Sequence, residues 1–273
     1  AVYREMREAI KQNSPQAYIF GEDFFDGTPY LQGDMLDGTM NYKGFNIPTW
    51  RWLGGIKVEH ARRPERGDHL PLPSQAYAAQ LDRFRAAVPW AVAVQQFNQL
   101  SSHDTPRILS ITDGDVALAK LAVALLMTYV GVPCVYYGDE VGLEGRWDPD
   151  NRRTMPWDEA NWDGDLHQWY KQLIALRKTS PALRHGGFQW LFAGEDVVAY
   201  QRQSIEQRLI VIGYRGDDME DPVIIPVRHS GLVDGVTLRN VFVSSQTVTV
   251  DDGDIRIDRM MHGQAIILEV SDA

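Results

Sequence analysis

From Tyr18 to Lys178 the chain alternates short apolar runs with longer stretches of helical periodicity. Tyr18–Gly21, Asp37–Tyr42, Ala91–Leu100 and Cys134–Tyr137 read as strands, the last as a fully buried one. Helices are predicted over Ala1–Gln12, Phe45–Leu53, Ser74–Ala86, Val116–Tyr129 and Asp165–Lys178. Val2, Met6, Ala9 and Ile10 share one face of the first, and Ser74 is placed to cap the third. Leu166, Trp169, Tyr170, Leu173, Ile174 and Leu176 face inward on the last. Strands that alternate with helices pair in parallel through helical crossovers. A closed barrel of eight such units takes at least about 200 residues, so this stretch has room for about half of one.

The texture changes after Arg184-His185-Gly186-Gly187. Val197–Arg202, Leu209–Gly213, Val223–Val227, Leu238–Val243, Thr247–Val250 and Gln264–Val270 are apolar or alternating runs, separated by Gly and Asp turns. They predict an antiparallel β domain. The expected division is therefore 1–184 and 185–273. Glu59–Pro73, charged and proline-rich, reads as a surface loop.

The net charge of −10 over 273 residues argues against nucleic acid or an anionic membrane as partner, since both would be repelled. A neutral sugar would not be. Eight Trp and eleven Tyr suit flat sugar faces, although aromatic residues serve cores equally well. Cys134 is the single cysteine, which excludes an intrachain disulfide and fits a cytoplasmic protein. The longest apolar run, Leu121–Val132, is too short to span a bilayer. No signal peptide is visible; the sequence opens within a helical pattern and without Met, which is unlike a natural start.

Two acidic stations follow predicted strands: Glu22, and the pair His103-Asp104. Carboxylates just past strand ends are what a parallel barrel uses for acid–base work at its open face. Asp139 and Glu140 follow the fourth strand and read as loop-shaping residues, with Tyr136 and Tyr137 as packing. Asp23 and Asp26 near Glu22 match no standard metal loop, and no phosphate-binding glycine pattern is present. Neither a metal nor a cofactor is expected.

Five motifs stand in order: Phe20-Gly21-Glu22, Asp37-Gly38-Thr39-Met40-Asn41-Tyr42, Ser102-His103-Asp104-Thr105-Pro106-Arg107, Gly131 to Glu140, and Asp148-Pro149-Asp150-Asn151-Arg152-Arg153-Thr154-Met155-Pro156-Trp157. Together they resemble the α-amylase superfamily of glycoside hydrolases, in its maltodextrin glucosidase, neopullulanase and cyclomaltodextrinase branch. The resemblance implies an α/β fold: the carboxy-terminal half of a (β/α)8 TIM barrel, with strands five to eight, followed by an antiparallel β-sandwich.

It also implies roles. Glu22 matches the proton donor of a retaining glycosidase. A donor must hold its proton until the bond breaks, which partial burial beside Phe20 and a nearby carboxylate would favour. Asp104 matches the anion that supports positive charge on the sugar ring, and His103 a hydroxyl-binding neighbour. Asp148 and Arg152 match residues that hold a further sugar, the alternative being a surface ion pair. Arg107 reads as structural, paired with a carboxylate below the site. The family's nucleophilic Asp has no counterpart in this sequence.

The expectation is thus part of a retaining hydrolase acting on α-1,4 bonds of maltodextrins, inactive on its own. Its partners would be an α-glucan oligosaccharide and the missing amino-terminal half, with a homodimer as a further possibility because the outer strands lack neighbours. The alternatives are a non-catalytic sugar-binding or scaffold subunit, a transglycosylase, or an α-1,6-acting relative.

Overall fold

The computed structural model describes residues 2–55 and 70–270. Most of the charged loop expected at Glu59–Pro73 lies outside the described residues. The first part runs α1 (Val2–Asn13), β1 (Phe20–Gly21), β2 (Gly38–Thr39), α2 (Ile47–Trp52), α3 (Ser74–Ala86) and α4 (Trp90–Ala93). It continues with β3 (Phe97–Gln99), α5 (Ile108–Ile111), α6 (Val116–Thr128), β4 (Val132–Cys134), α7 (Gly164–Thr179) and α8 (Pro181–His185). β1 pairs with β2 and β3 with β4, both in parallel, and a parallel bridge from Met40 to Phe97 joins the two pairs. The result is an arc in the order β1-β2-β3-β4, with helices outside it.

Local chemistry sets the boundaries. The Asp115 carboxylate accepts the Leu118 N–H at 3.0 Å and the Asp163 carboxylate the Leu166 N–H at 2.9 Å, so α6 and α7 each begin on an Asp cap. α6 is apolar nearly all round because it is sandwiched between the arc and the β domain; Leu121, Ala122, Val123 and Ala124 are fully buried. Each leucine so buried contributes about 1.5–3 kcal/mol. Gly131 leads into β4 at φ 121°, where an added Cβ would come within 2.7 Å of the Gln96 carbonyl. α1 buries no residue fully; Met6 and Ile10 pack against the core, and ion pairs add to the hold. Buried Asp37 accepts from Arg7 Nη1 at 2.7 Å, Lys11 Nζ at 2.9 Å and the Ile19 N–H at 2.8 Å. Burial pushes the Asp37 carboxyl up, but these donors outweigh it and leave it below the usual range.

Antiparallel structure begins after α8. Strands β5 (Gly187–Ala193), β6 (Val197–Gln203), β7 (Arg208–Tyr214), β8 (Val223–Pro226), β9 (Thr237–Asn240), β10 (Thr247–Thr249), β11 (Asp254–Ile257) and β12 (Ala265–Val270) follow. Six form one sheet in the order β10-β9-β12-β7-β6-β5, and β11-β8 form a second, smaller one. Side chains alternate between two cores. Val198, Tyr200, Leu209, Val211 and Ile267 face the arc's helices. Ala199, Ile210, Ile212, Ile266 and Leu268 face Ile225, Ile255 and Ile257 of the small sheet. The large sheet is covered on both faces, which is why its strands read as continuous apolar runs.

A buried cation stitches the two parts together. Arg202 donates to the carbonyls of Thr128 at 2.6 Å, Leu183 at 3.1 Å, Gly186 at 3.0 Å and Gly187 at 3.1 Å. Its charge thus sits at the carboxyl ends of α6 and α8, where helix dipoles favour it. Burial lowers its own pKa to about 10.

Several expectations need correction. Residues 91–93, the start of the stretch read as strand, are helical: Pro89 caps a turn that opens at Trp90, its carbonyl accepting the Val92 N–H at 2.9 Å. The fourth strand is Val132–Cys134 rather than Cys134–Tyr137, and it is not fully buried: Val132 is 46% exposed. It forms one edge of the arc, so only one side is paired. Tyr42–Asn46 forms a π turn before α2, with the Asn41 side chain accepting from the Gly44 N–H. The Ser74 hydroxyl does not cap α3; it accepts from Trp52 Nε1 at 2.9 Å and donates to the Glu195 carbonyl at 2.8 Å.

Candidate active site

Glu22 follows β1, and His103 and Asp104 follow β3, so both stations project from the same end of the arc. They meet there. His103 Nε2 lies 3.8 Å from Glu22 Oε1 and 3.5 Å from Asp104 Oδ2. One donor atom from each of the three falls within 4.8 Å of the others, so the trio could also grip a cation. Asp23 and Asp26 stay out of this group: their carboxylates accept the N–H groups of Phe25 and Thr28 and shape the loop.

The fourth strand's loop closes one side. Arg152 Nη2 is 3.4 Å from Asp104 Oδ1, and Arg152 Nε is 2.5 Å from Asp148 Oδ1. Glu22, His103, Asp104, Asp148 and Arg152 therefore form one connected polar wall. The Asp148–Arg152 contact is an ion pair as well as part of the wall, and both side chains are about half exposed (50% and 47%). The Glu22 side chain is 40% exposed, so it is partly buried, but Phe20 does not do the covering. Phe20 turns away to stack on Tyr18 and Phe97, at centroid distances of 5.6 and 5.2 Å.

Beneath the wall the turn is rigid. Arg107 is fully buried, donating through Nη1 to Asp139 Oδ1 at 3.0 Å and through Nε to the Asn151 carbonyl at 3.0 Å. Its guanidinium lies over Tyr136 and Tyr137, 4.4 and 4.7 Å from the ring centroids. Burial pushes the Asp139 carboxyl up to about 7, against the pull of Arg107.

Buried Asn151 donates to the carbonyls of Ser102 at 3.1 Å and Thr105 at 2.9 Å, tying the His103-Asp104 turn to the loop bearing Arg152. Tyr42, which opens the π turn after β2, brings its hydroxyl 3.3 Å from Glu22 Oε1 and 2.9 Å from Ser102 Oγ. Asn151, Tyr42 and Ser102 had no role assigned from sequence. The available signal was polar groups lodged inside motifs that otherwise end buried strands.

Comparison with known proteins gives the family. The α-amylase catalytic-domain family matches residues 1–165. A cyclomaltodextrinase from a Bacillus species is 35% identical over 238 residues, covering 86% of this chain and 40% of the relative. Neopullulanase 2 of Thermoactinomyces vulgaris is 35% identical over 234 residues, covering 85% and 37%. The solved debranching enzyme of Nostoc punctiforme superposes with a TM-score of 0.83 at 31% identity, covering 97% of this chain and 54% of that one. The chain spans about two fifths of the length of the curated relatives it matches. The chain belongs to the α-amylase family of glycoside hydrolases.

Proposed function

We propose that this chain supplies the acid and charge-stabilising side of a retaining hydrolase acting on α-1,4 bonds of maltodextrins. The convergence of Glu22 and Asp104 from separate strands carries the reading, with their donor atoms within 4.8 Å. Glu22 gives its proton to the glycosidic oxygen as the bond to the anomeric carbon breaks. An aspartate outside these residues attacks that carbon from the opposite face. Glu22, now a carboxylate, then takes a proton from water, which displaces the aspartate. Asp104 offsets the positive charge on the ring in both steps, so it acts on the transition state more than on the neutral sugar. His103 binds hydroxyls beside the bond, and Asp148 with Arg152 binds the next sugar.

The glucan-acting enzymes among the relatives support the substrate class; the likeness to a debranching enzyme favours an α-1,6-acting variant as the second reading. Two further proposals accompany this one. The division at 184/185 marks two units packed against a common core, the β domain having a second core of its own, and the protein is cytoplasmic, which a single unpaired thiol permits and the likeness to an intracellular maltogenic amylase of Bacillus subtilis supports.

The test is complementation. The isolated chain should leave maltotriose uncleaved, and adding the amino-terminal portion present in the relatives should restore cleavage. Asp104 lies close enough to Glu22 to resemble a retaining pair, so rapid cleavage by the isolated chain would make it the nucleophile and sink this assignment.

A further inference from the structure

We propose that Tyr42 is a positioning residue that fixes which oxygen of Glu22 carries the transferable proton. The proposal rests on the hydrolase reading above. Tyr42 is fully buried, and Phe24 stacks on its ring at 4.0 Å with the planes 13° apart. The ring therefore has little freedom. Its hydroxyl reaches Glu22 Oε1 at 3.3 Å and Ser102 Oγ at 2.9 Å, while a contact to Met40 Sδ at 3.9 Å is too long and too weak to compete.

Counting protons gives the network a direction. The Asp104 N–H can only donate, and it meets Ser102 Oγ at 3.2 Å. Thr105 Oγ1 accepts the Ser102 N–H at 2.8 Å and lies 3.1 Å from Ser102 Oγ; either hydroxyl can donate there, and the series is complete when Thr105 does. A serine hydroxyl that accepts twice has one proton left to give. That proton goes to Tyr42, and the Tyr42 proton goes to Glu22 Oε1. Burial pushes the Tyr42 phenol well above its ordinary range, which keeps it a donor. A series of donors thus runs from the Asp104 turn, through the Tyr42 hydroxyl, to one oxygen of the acid.

Glu22 Oε1 accepts in this arrangement. When the carboxyl is protonated its proton therefore sits on Oε2, and proton donation then requires that oxygen to meet the leaving group. Without Tyr42 the proton can occupy either oxygen, and the carboxyl can rotate away from the Asp104 turn. The cost should fall on proton donation and leave sugar binding largely intact.

The experiment compares two substrates in the chain joined to the amino-terminal portion of its relatives. Cleavage of maltotriose needs a proton on the departing oxygen; cleavage of α-glucosyl fluoride does not. For Tyr42→Phe we expect kcat/KM to fall by about 10–100-fold on maltotriose and by less than about 3-fold on the fluoride. Ser102→Ala, which breaks the same series one step earlier, should show the same selective loss and guards against a folding defect in the first variant. Equal losses on both substrates, or no loss on either, overturn the proposal. If the unsubstituted protein cleaves neither substrate, the hydrolase reading itself fails and takes the proposal with it.

Discussion

His262 Nε2 lies 2.7 Å from Asp115 Oδ2, joining the β domain to the residue that caps α6. The other ring nitrogen, Nδ1, is 2.9 Å from the Gly216 carbonyl, so both nitrogens face acceptors. This is the setting of a doubly protonated imidazole. The hydrogen bond that His262 donates to the Asp115 carboxylate raises the histidine's pKa above 6.5. Burial pushes Asp115 up, but the Leu118 N–H and His262 outweigh it and leave Asp115 below 3.8.

The signs give a pH window. The histidine's contribution is complete below its unfolded value of 6.5 and is lost as pH rises through the raised folded value. The aspartate's contribution is present above its unfolded value of 3.8 and is lost as pH falls through the lowered one. Both are full between those two unfolded values. His262→Gln should therefore cost most stability in that window and progressively less at alkaline pH. With each side chain about one-third exposed, the maximum loss should stay near 1 kcal/mol, read from unfolding midpoints across pH.

Arg107 and Asp139 call for a larger effect. Arg107→Lys keeps the charge but cannot make the fork to Asp139 and the Asn151 carbonyl, nor present a planar cation to the Tyr136 and Tyr137 rings. Leaving a buried charge poorly paired costs about 3–5 kcal/mol. Denaturant unfolding of the variant checks this, and a loss under about 1 kcal/mol would mean the knot contributes little.

How far the sequence reveals this protein depends on how its residues are buried. α7 is legible because its apolar residues recur at helical spacing, and α6 because a long Ala- and Leu-rich run stops at Gly131-Val132-Pro133; each starts on an Asp. The arc's strands were harder: β1 and β2 are two residues long, too short for any period to register. β5 was missed because a register shift between Trp190 and Phe192 disturbs its alternation. β11, Asp254-Ile255-Arg256-Ile257, alternates cleanly and could have been found. Glu22, His103, Asp104, Asp148 and Arg152 were nameable through motif order. Tyr42, Ser102 and Asn151 were not, since their role depends on contacts across strands that no local pattern encodes.

The arc's outer strands predict association. Phe20 on β1 and Val132 on β4 are each 46% exposed, and neither strand has a second partner among the described residues. Unpaired edges of this kind template pairing with another chain. Light scattering of the isolated chain should report a species larger than its 30.9 kDa, and the amino-terminal portion should convert it to a defined complex. A monodisperse monomer that ignores the added portion would contradict this.

The assignment of Glu22 as acid and base is tested most directly by azide rescue in the complete protein. Glu22→Ala should form the glycosyl intermediate from an activated aryl α-glucoside but release it slowly, for want of a base to activate water. Azide needs no base; it should displace the aspartate at the anomeric carbon, restore turnover and give the α-glycosyl azide. A β-glycosyl azide would mark Glu22 as the nucleophile instead, and turnover indifferent to azide would remove it from the reaction.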